Sequence, residues 1–221
     1  MDDKRASTGY LAVPDAGIGP GVLVLHAWWG LTPFITQVCD RLADEGFVAL
    51  APDLLGEVVT DPAEAEARLE TASPDQIAHI TRSALYHLRQ LPMTPNTPVG
   101  VLGFSMGASM ALWLSARVPE GVAATTVFYG AQDIDFAQAQ GAYLGHFAEE
   151  DPFVDEDSLT LLEAELRLLE LDTTFHRYPG TRHWFFEEDR PEHHPEAARL
   201  AWERTIAFFR AHVPTESVLE D

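Results

Sequence analysis

Cysteine and lysine are nearly missing from this chain: each occurs once, as Cys39 and Lys4. One cysteine excludes an internal disulfide and any metal site built from several cysteines, so Cys39 is expected as a small buried apolar residue. One lysine, in a charged Met1-Asp2-Asp3-Lys4-Arg5 start expected to fray, argues against Schiff-base chemistry and a phosphate-binding lysine loop. Long apolar runs are missing too. Nothing reaches the ~18 residues that a membrane span needs, and the N-terminus lacks the basic-then-apolar pattern of a secretory signal. A cytoplasmic protein away from membranes is expected. Positive charge is scarce, with 14 Lys and Arg against 35 Asp and Glu and a formal net charge of -21. Such a field repels nucleic acid and anionic lipid surfaces, so neither is an expected partner, and solubility is its simplest consequence.

What is present is a packed globular composition, 46% hydrophobic and 10% aromatic over 221 residues, sized for a single α/β domain over residues 1–221. Val22 to Leu25 is a continuous apolar run closed by His26, the pattern of a strand buried on both faces. Thr32 to Glu45 has helical spacing and ends at Gly46. The alternation continues: strands are expected at Phe47 to Ala51, Val99 to Leu102, Val122 to Tyr129, Ala142 to Ala148 and Thr173 to Tyr178. Helices are expected around Gln76 to Leu91, Met106 to Arg117, Ser158 to Glu170 and Glu196 to His212. The polar, alanine-rich stretch 57–73 is expected as a surface helix rather than a large lid. Strands and helices alternating in this way predict a mostly parallel central sheet covered on both faces, with chemistry at the carboxyl ends of its strands.

At one of those ends stands Gly103-Phe104-Ser105-Met106-Gly107, which matches G-x-S-x-G between a strand and a helix. The motif needs a tight turn that lifts the hydroxyl above the sheet, and its glycines remove side chains that would collide there. The pattern points to the α/β-hydrolase fold with Ser105 as nucleophile. Serine is weak at neutral pH and needs a histidine base, itself held by a carboxylate. In this fold the partners follow in the order serine, acid, histidine, which removes His26, His79 and His87. His146 and His176 fall inside strands and His212 in the last helix, whereas His183 lies in the loop after the last strand and is the expected base. His193 and His194, in a proline-flanked polar stretch, are its rivals. For the acid, Glu149-Glu150-Asp151-Pro152 follows a strand; Asp151 is expected, with Asp133 and Asp135 as competitors.

An oxyanion hole needs two NH groups aimed at the developing charge. Met106 supplies one, and the loop His26-Ala27-Trp28-Trp29-Gly30 the other, with Trp28 the expected donor. Trp29, Phe104 and Trp184 are expected in the substrate pocket, although aromatics beside a core are more often packing.

Together these segments, with Gly46-Phe47-Val48-Ala49, Ala51-Pro52-Asp53-Leu54, Tyr129-Gly130 and Asp151-Pro152-Phe153-Val154, resemble the dienelactone hydrolase family from about Gly21 to Val213. The resemblance implies an α/β-hydrolase without a large lid, acting on an ester or lactone. Three departures stand out. The best-known members use a cysteine nucleophile and a glutamate in the first loop, where this chain has Ser105 and Ala27. They also hold a substrate carboxylate with arginines, one shortly after the histidine; here Trp184-Phe185-Phe186-Glu187-Glu188 follows, with no arginine before Arg190. Arg68 and Arg82 are alternative cations. The expected activity is serine-dependent cleavage of an ester, lactone or thioester through an acyl-enzyme, without metal or organic cofactor. The alternatives are amide or peptide cleavage in the same site and a non-catalytic binding module; a dehalogenase-like reaction would want aspartate at position 105.

Overall fold

The computed structural model describes residues 9–216 and shows how the apolar runs come together. Lys4 and its charged neighbours lie outside the described residues. The strands are β1 (Gly9–Ala12), β2 (Gly21–Leu25), β3 (Val48–Pro52), β4 (Val99–Phe104), β5 (Val122–Phe128), β6 (Ala142–Glu150) and β7 (Thr173–Arg182). The helices are α1 (Pro33–Asp44), α2 (Pro62–Thr71), α3 (Pro74–Gln90), α4 (Met106–Arg117), α5 (Glu156–Leu168) and α6 (Pro195–His212). The strands form one seven-stranded sheet in the order β1-β3-β2-β4-β5-β6-β7, parallel except for β1.

Every residue of β2, β3 and β4 is buried, as expected of central strands with helices on both faces. On one face α1 and α6 pack Phe34, Val38, Leu42, Trp202 and Phe209 against the sheet. On the other, α3, α4 and α5 bring Leu85, Leu88, Leu112, Leu159 and Leu166. Cys39 is fully buried in the first of these layers, and burial pushes its thiol up to about 12, which leaves it an inert packing group.

Local signals set the helix ends. Gly46 at φ 94° lets Phe47 and itself donate back to Leu42 and Ala43, closing α1. Asp61, Ser73 and Asp155 accept the NH groups of Glu64, Gln76 and Ser158 and so start α2, α3 and α5.

Two elements differ from the sequence reading. The antiparallel edge strand β1 was not expected; its four residues are half exposed and lack the apolar run that marked the central strands. Strand β7 runs on from Tyr178 to Arg182 across a register shift, so His183 follows the strand directly instead of sitting within a loop. The stretch 57–73 contains α2, whose one buried residue is Ala65: a surface helix, with no large lid among the described residues. Among them, no helix is long and apolar enough to cross a membrane.

Candidate active site

Ser105 sits at the sharp turn between β4 and α4 with φ 51° and ψ -113°, a backbone that costs a non-glycine residue roughly 1–3 kcal/mol. Neighbouring glycines make the turn possible. A Cβ on Gly103 would collide with the Gly107 carbonyl, and one on Gly107 with the Leu25 carbonyl of β2. The Ser105 NH is held by the Phe128 carbonyl of the adjacent strand at 3.0 Å. The hydroxyl is thereby aimed out of the sheet.

It points to His183. Ser105 Oγ donates to His183 Nε2 at 2.9 Å, and His183 Nδ1 donates to Asp151 Oδ2 at 2.7 Å and Oδ1 at 2.9 Å. Because an ionised carboxylate only accepts, Asp151 sets the tautomer that leaves Nε2 free to take a proton. Asp151 is itself oriented by the NH groups of Phe153 and Val154, which donate to Oδ1 at 2.9 and 3.2 Å. The His183 and Asp151 side chains are 3% and 5% exposed, so solvent screens their interaction little.

The rival residues lie elsewhere. Asp135 accepts the Ala137 NH, His194 caps α6 by accepting from Ala197, and Glu149 receives the Gly180 NH. His146 is enclosed between Tyr178 and Thr205, and burial, reinforced by His176 and Arg204, holds it well below the usual histidine range. His26 is also buried and neutral. Its Nδ1 donates to the Ala27 carbonyl and its Nε2 accepts the Leu54 NH, which ties the first loop to the end of β3.

Met106 is the first residue of α4, where an NH has no partner within the helix. Among the described residues neither the Met106 NH nor the Trp28 NH donates within a turn, loop or cap. Beside His183 opens a cleft of about 430 Å³ lined by Glu150, Asp151, Pro152, Phe153, Arg182, Trp184 and Glu192. Phe153 and Trp184 place their rings 4.8 and 4.9 Å from the imidazole, and Trp28 lies 5.7 Å from Phe153. A larger cavity of about 510 Å³ lies between the end of β3 and the α2–α3 turn, and none of the three linked side chains lines it.

The chain as a whole is similar to a group of known proteins. The description "Dienelactone hydrolase family" matches residues 7–213. The chain belongs to the dienelactone hydrolase family. It is a hydrolase, of the class that opens esters and lactones. Protein usf of Aquifex pyrophilus is 33% identical over 216 residues, covering 93% of each chain. A carboxymethylenebutenolidase of Rhodococcus opacus is 28% identical over 224 residues, covering 93% of this chain and 86% of that one. A dienelactone hydrolase-like promiscuous phosphotriesterase from metagenomic libraries shares the α/β-hydrolase fold, with a TM-score of 0.82, 23% identity and coverage of 93% and 92%.

Against this family background, the expected pocket residues separate. Trp184 lines the cleft; Trp29 is 2% exposed and lies behind it, 5.3 Å from Trp184. Phe104 is a correction. It is fully buried between Phe34, Phe128 and Phe186, because its place in β4 turns the side chain into the core. Of the arginines, Arg68 donates to the carbonyls of Leu55 and Glu57, Arg82 is exposed on α3, and Arg190 lies over Trp29 at 3.6 Å. Among the described residues no group of three His, Cys, Asp or Glu is placed to hold a metal ion.

Two residues beside the base escaped the sequence reading as functional candidates. Phe153, 55% exposed, was noted only within a family segment, and Glu187 only as the residue standing where no arginine does. Glu187 is buried against Tyr129, whose ring packs on His183, and burial pushes its carboxyl up to about 8. The first of three acidic residues directly after the apolar Trp184-Phe185-Phe186 run is the signal that could have marked it.

Proposed function

We propose that the chain is a single-domain serine hydrolase that cleaves a small carboxylic ester or lactone through a covalent acyl-enzyme. The observation that carries this reading is the unbroken relay from Ser105 Oγ through His183 to the Asp151 carboxylate. His183 Nε2 takes the hydroxyl proton as Ser105 Oγ attacks the carbonyl carbon. The negative charge on the carbonyl oxygen is received by the NH groups of Met106 and Trp28. Collapse of the tetrahedral intermediate breaks the ester C–O bond, and the imidazolium returns its proton to the leaving oxygen. In a lactone that oxygen stays tethered to the acyl group. Water, deprotonated by His183, then attacks the acyl carbon; the bond to Ser105 Oγ breaks, the imidazolium returns its proton to that oxygen, and the acid is released.

The aromatic wall of Phe153, Trp184 and Trp28 suits a flat or apolar acyl or aryl group. The name of the Rhodococcus opacus relative refers to a butenolide, which makes an unsaturated lactone the natural starting substrate. The acidic balance supports a small molecule rather than nucleic acid as partner, and the single cysteine suits work in the cytoplasm.

Hydrolysis of p-nitrophenyl esters and of five- and six-membered lactones, by wild type and Ser105→Ala side by side, tests the reading. Turnover by wild type alone is the expected result. Equal rates for the two proteins, or silence of the wild type on every ester and lactone, would count against it.

A further inference from the structure

Tyr129 follows β5 directly, in the left-handed region at φ 39°, its NH donating to the His146 carbonyl at 2.8 Å. Its ring lies against the imidazole of His183 with centroids 4.9 Å apart. Its hydroxyl donates to Glu187 Oε1 at 2.9 Å. Glu187 is fixed by its own NH, which donates to the Trp184 carbonyl at 2.9 Å, within a run of turns that begins at His183 and includes Trp184 at φ 67°. One buried bond therefore fastens the segment carrying the base, after β7, to the turn that follows β5, two strands away in the sheet.

We propose that Tyr129 and Glu187 act as a positioning pair for His183, Glu187 holding the Tyr129 ring that packs against the imidazole and the pair clamping the segment that carries it. The inference rests on the serine-hydrolase reading of the same site. Tyr129 reaches His183 from β5, and Asp151 reaches it from the end of β6. Around Glu187 the charged groups are Arg190, Asp189 and Glu192 from its own loop, with Arg190 Nε 3.9 Å from Oε2. Both side chains of the pair are buried and share one hydrogen bond, with Arg190 at ion-pair distance. Burial pushes the Glu187 carboxyl up to about 8, so it holds its proton at neutral pH, and its ionisation on the alkaline side changes the acceptor that holds the Tyr129 hydroxyl.

The test measures kcat and KM for one p-nitrophenyl ester from pH 6 to 9.5, subtracting the Ser105→Ala background. Tyr129→Phe keeps the ring but loses the clamp; kcat should fall about tenfold with KM within about twofold, the response of a displaced base. Glu187→Leu should fall similarly, and the double variant no further, because both remove one interaction. Glu187→Gln retains an acceptor for the Tyr129 hydroxyl, so it should recover much of the kcat lost in Glu187→Leu while losing the alkaline inflection seen in wild type. Circular dichroism checks that each variant folds, and the wild-type inflection is read without any substitution. Superimposable pH profiles for wild type and Glu187→Gln, or an undiminished kcat in Tyr129→Phe, overturn the pair alone. A wild type inactive toward esters and lactones and unlabelled by a fluorophosphonate overturns the serine-hydrolase reading and the pair with it.

Discussion

Asp151 and His183 meet through both carboxylate oxygens, at 2.7 and 2.9 Å from Nδ1, although 32 residues separate them in the chain. Replacing the carboxylate by an amide alters this contact without emptying it. In Asp151→Asn the side-chain NH₂ can face Nδ1, which then becomes an acceptor, and the proton moves to Nε2, where it blocks removal of the serine proton. The expected fall in kcat is on the order of 10⁴, with KM changed much less. Steady-state kinetics on one activated ester measures it, and a loss of less than about tenfold would remove Asp151 from the orienting role.

Ser105→Ala removes one oxygen from a turn held by backbone contacts. The strained backbone conformation stays the same, and so do the NH bond to Phe128 and the close approach of Gly107 to β2. Stability should therefore change by no more than about 1 kcal/mol, within the range of substitutions outside the core. Turnover and fluorophosphonate labelling should both disappear. Labelling that persists in this variant would place the reactive nucleophile elsewhere.

The site was legible in the sequence wherever chemistry and chain order coincide. Ser105 is framed by glycines that such a turn needs, and the relay to His183 and Asp151 joins the ends of three strands that the alternating apolar runs indicated, β7 ending four residues later than its run. The central strands announced themselves because they are apolar throughout. Strand β1 did not, since an exposed edge strand of four residues has no run to detect. Phe104 was misplaced for a related reason: adjacency to Ser105 in sequence says nothing about which face of β4 a side chain occupies. Glu187 and Phe153 needed the fold itself: Phe153 packs on the imidazole from another segment, and Glu187 is buried where it bonds the Tyr129 hydroxyl.

Phe153 offers a way to probe the cleft with little effect on the core. It is 55% exposed, yet its ring sits 4.8 Å from His183 and 5.5 Å from Trp184. Truncation in Phe153→Ala removes an aromatic wall from the bound substrate; KM for an aryl ester should rise about fivefold to tenfold, equivalent to about 1–1.4 kcal/mol of lost contact. For an acetyl ester of a small alcohol the change should be smaller. A comparison of KM across the two esters measures this, and equal shifts in both would mean that Phe153 does not contact the aryl group.

Stability should also depend on pH through Glu187, in a direction opposite to that of an ordinary paired carboxylate. Its folded pKa is raised from 4.5 to about 8, so between those values the unfolded chain has released a proton that the folded chain still holds. The unfolded state then binds fewer protons, and unfolding free energy falls as pH rises, by about 1.4 kcal/mol per pH unit for this one group. Below pH 4.5 both states are protonated and the penalty vanishes; above about 8 both are ionised and it stops growing. Glu187→Gln cannot ionise and escapes the whole effect. Buried His26 and His146, whose lowered pKa values destabilise the fold as pH drops below 6.5, act equally in both proteins and cancel in the comparison. Urea unfolding of the two at pH 4.5, 6 and 8 should therefore show Glu187→Gln gaining on wild type with each step, by a few kcal/mol in total. A constant difference across that range would mean that Glu187 is ionised in the folded protein at neutral pH.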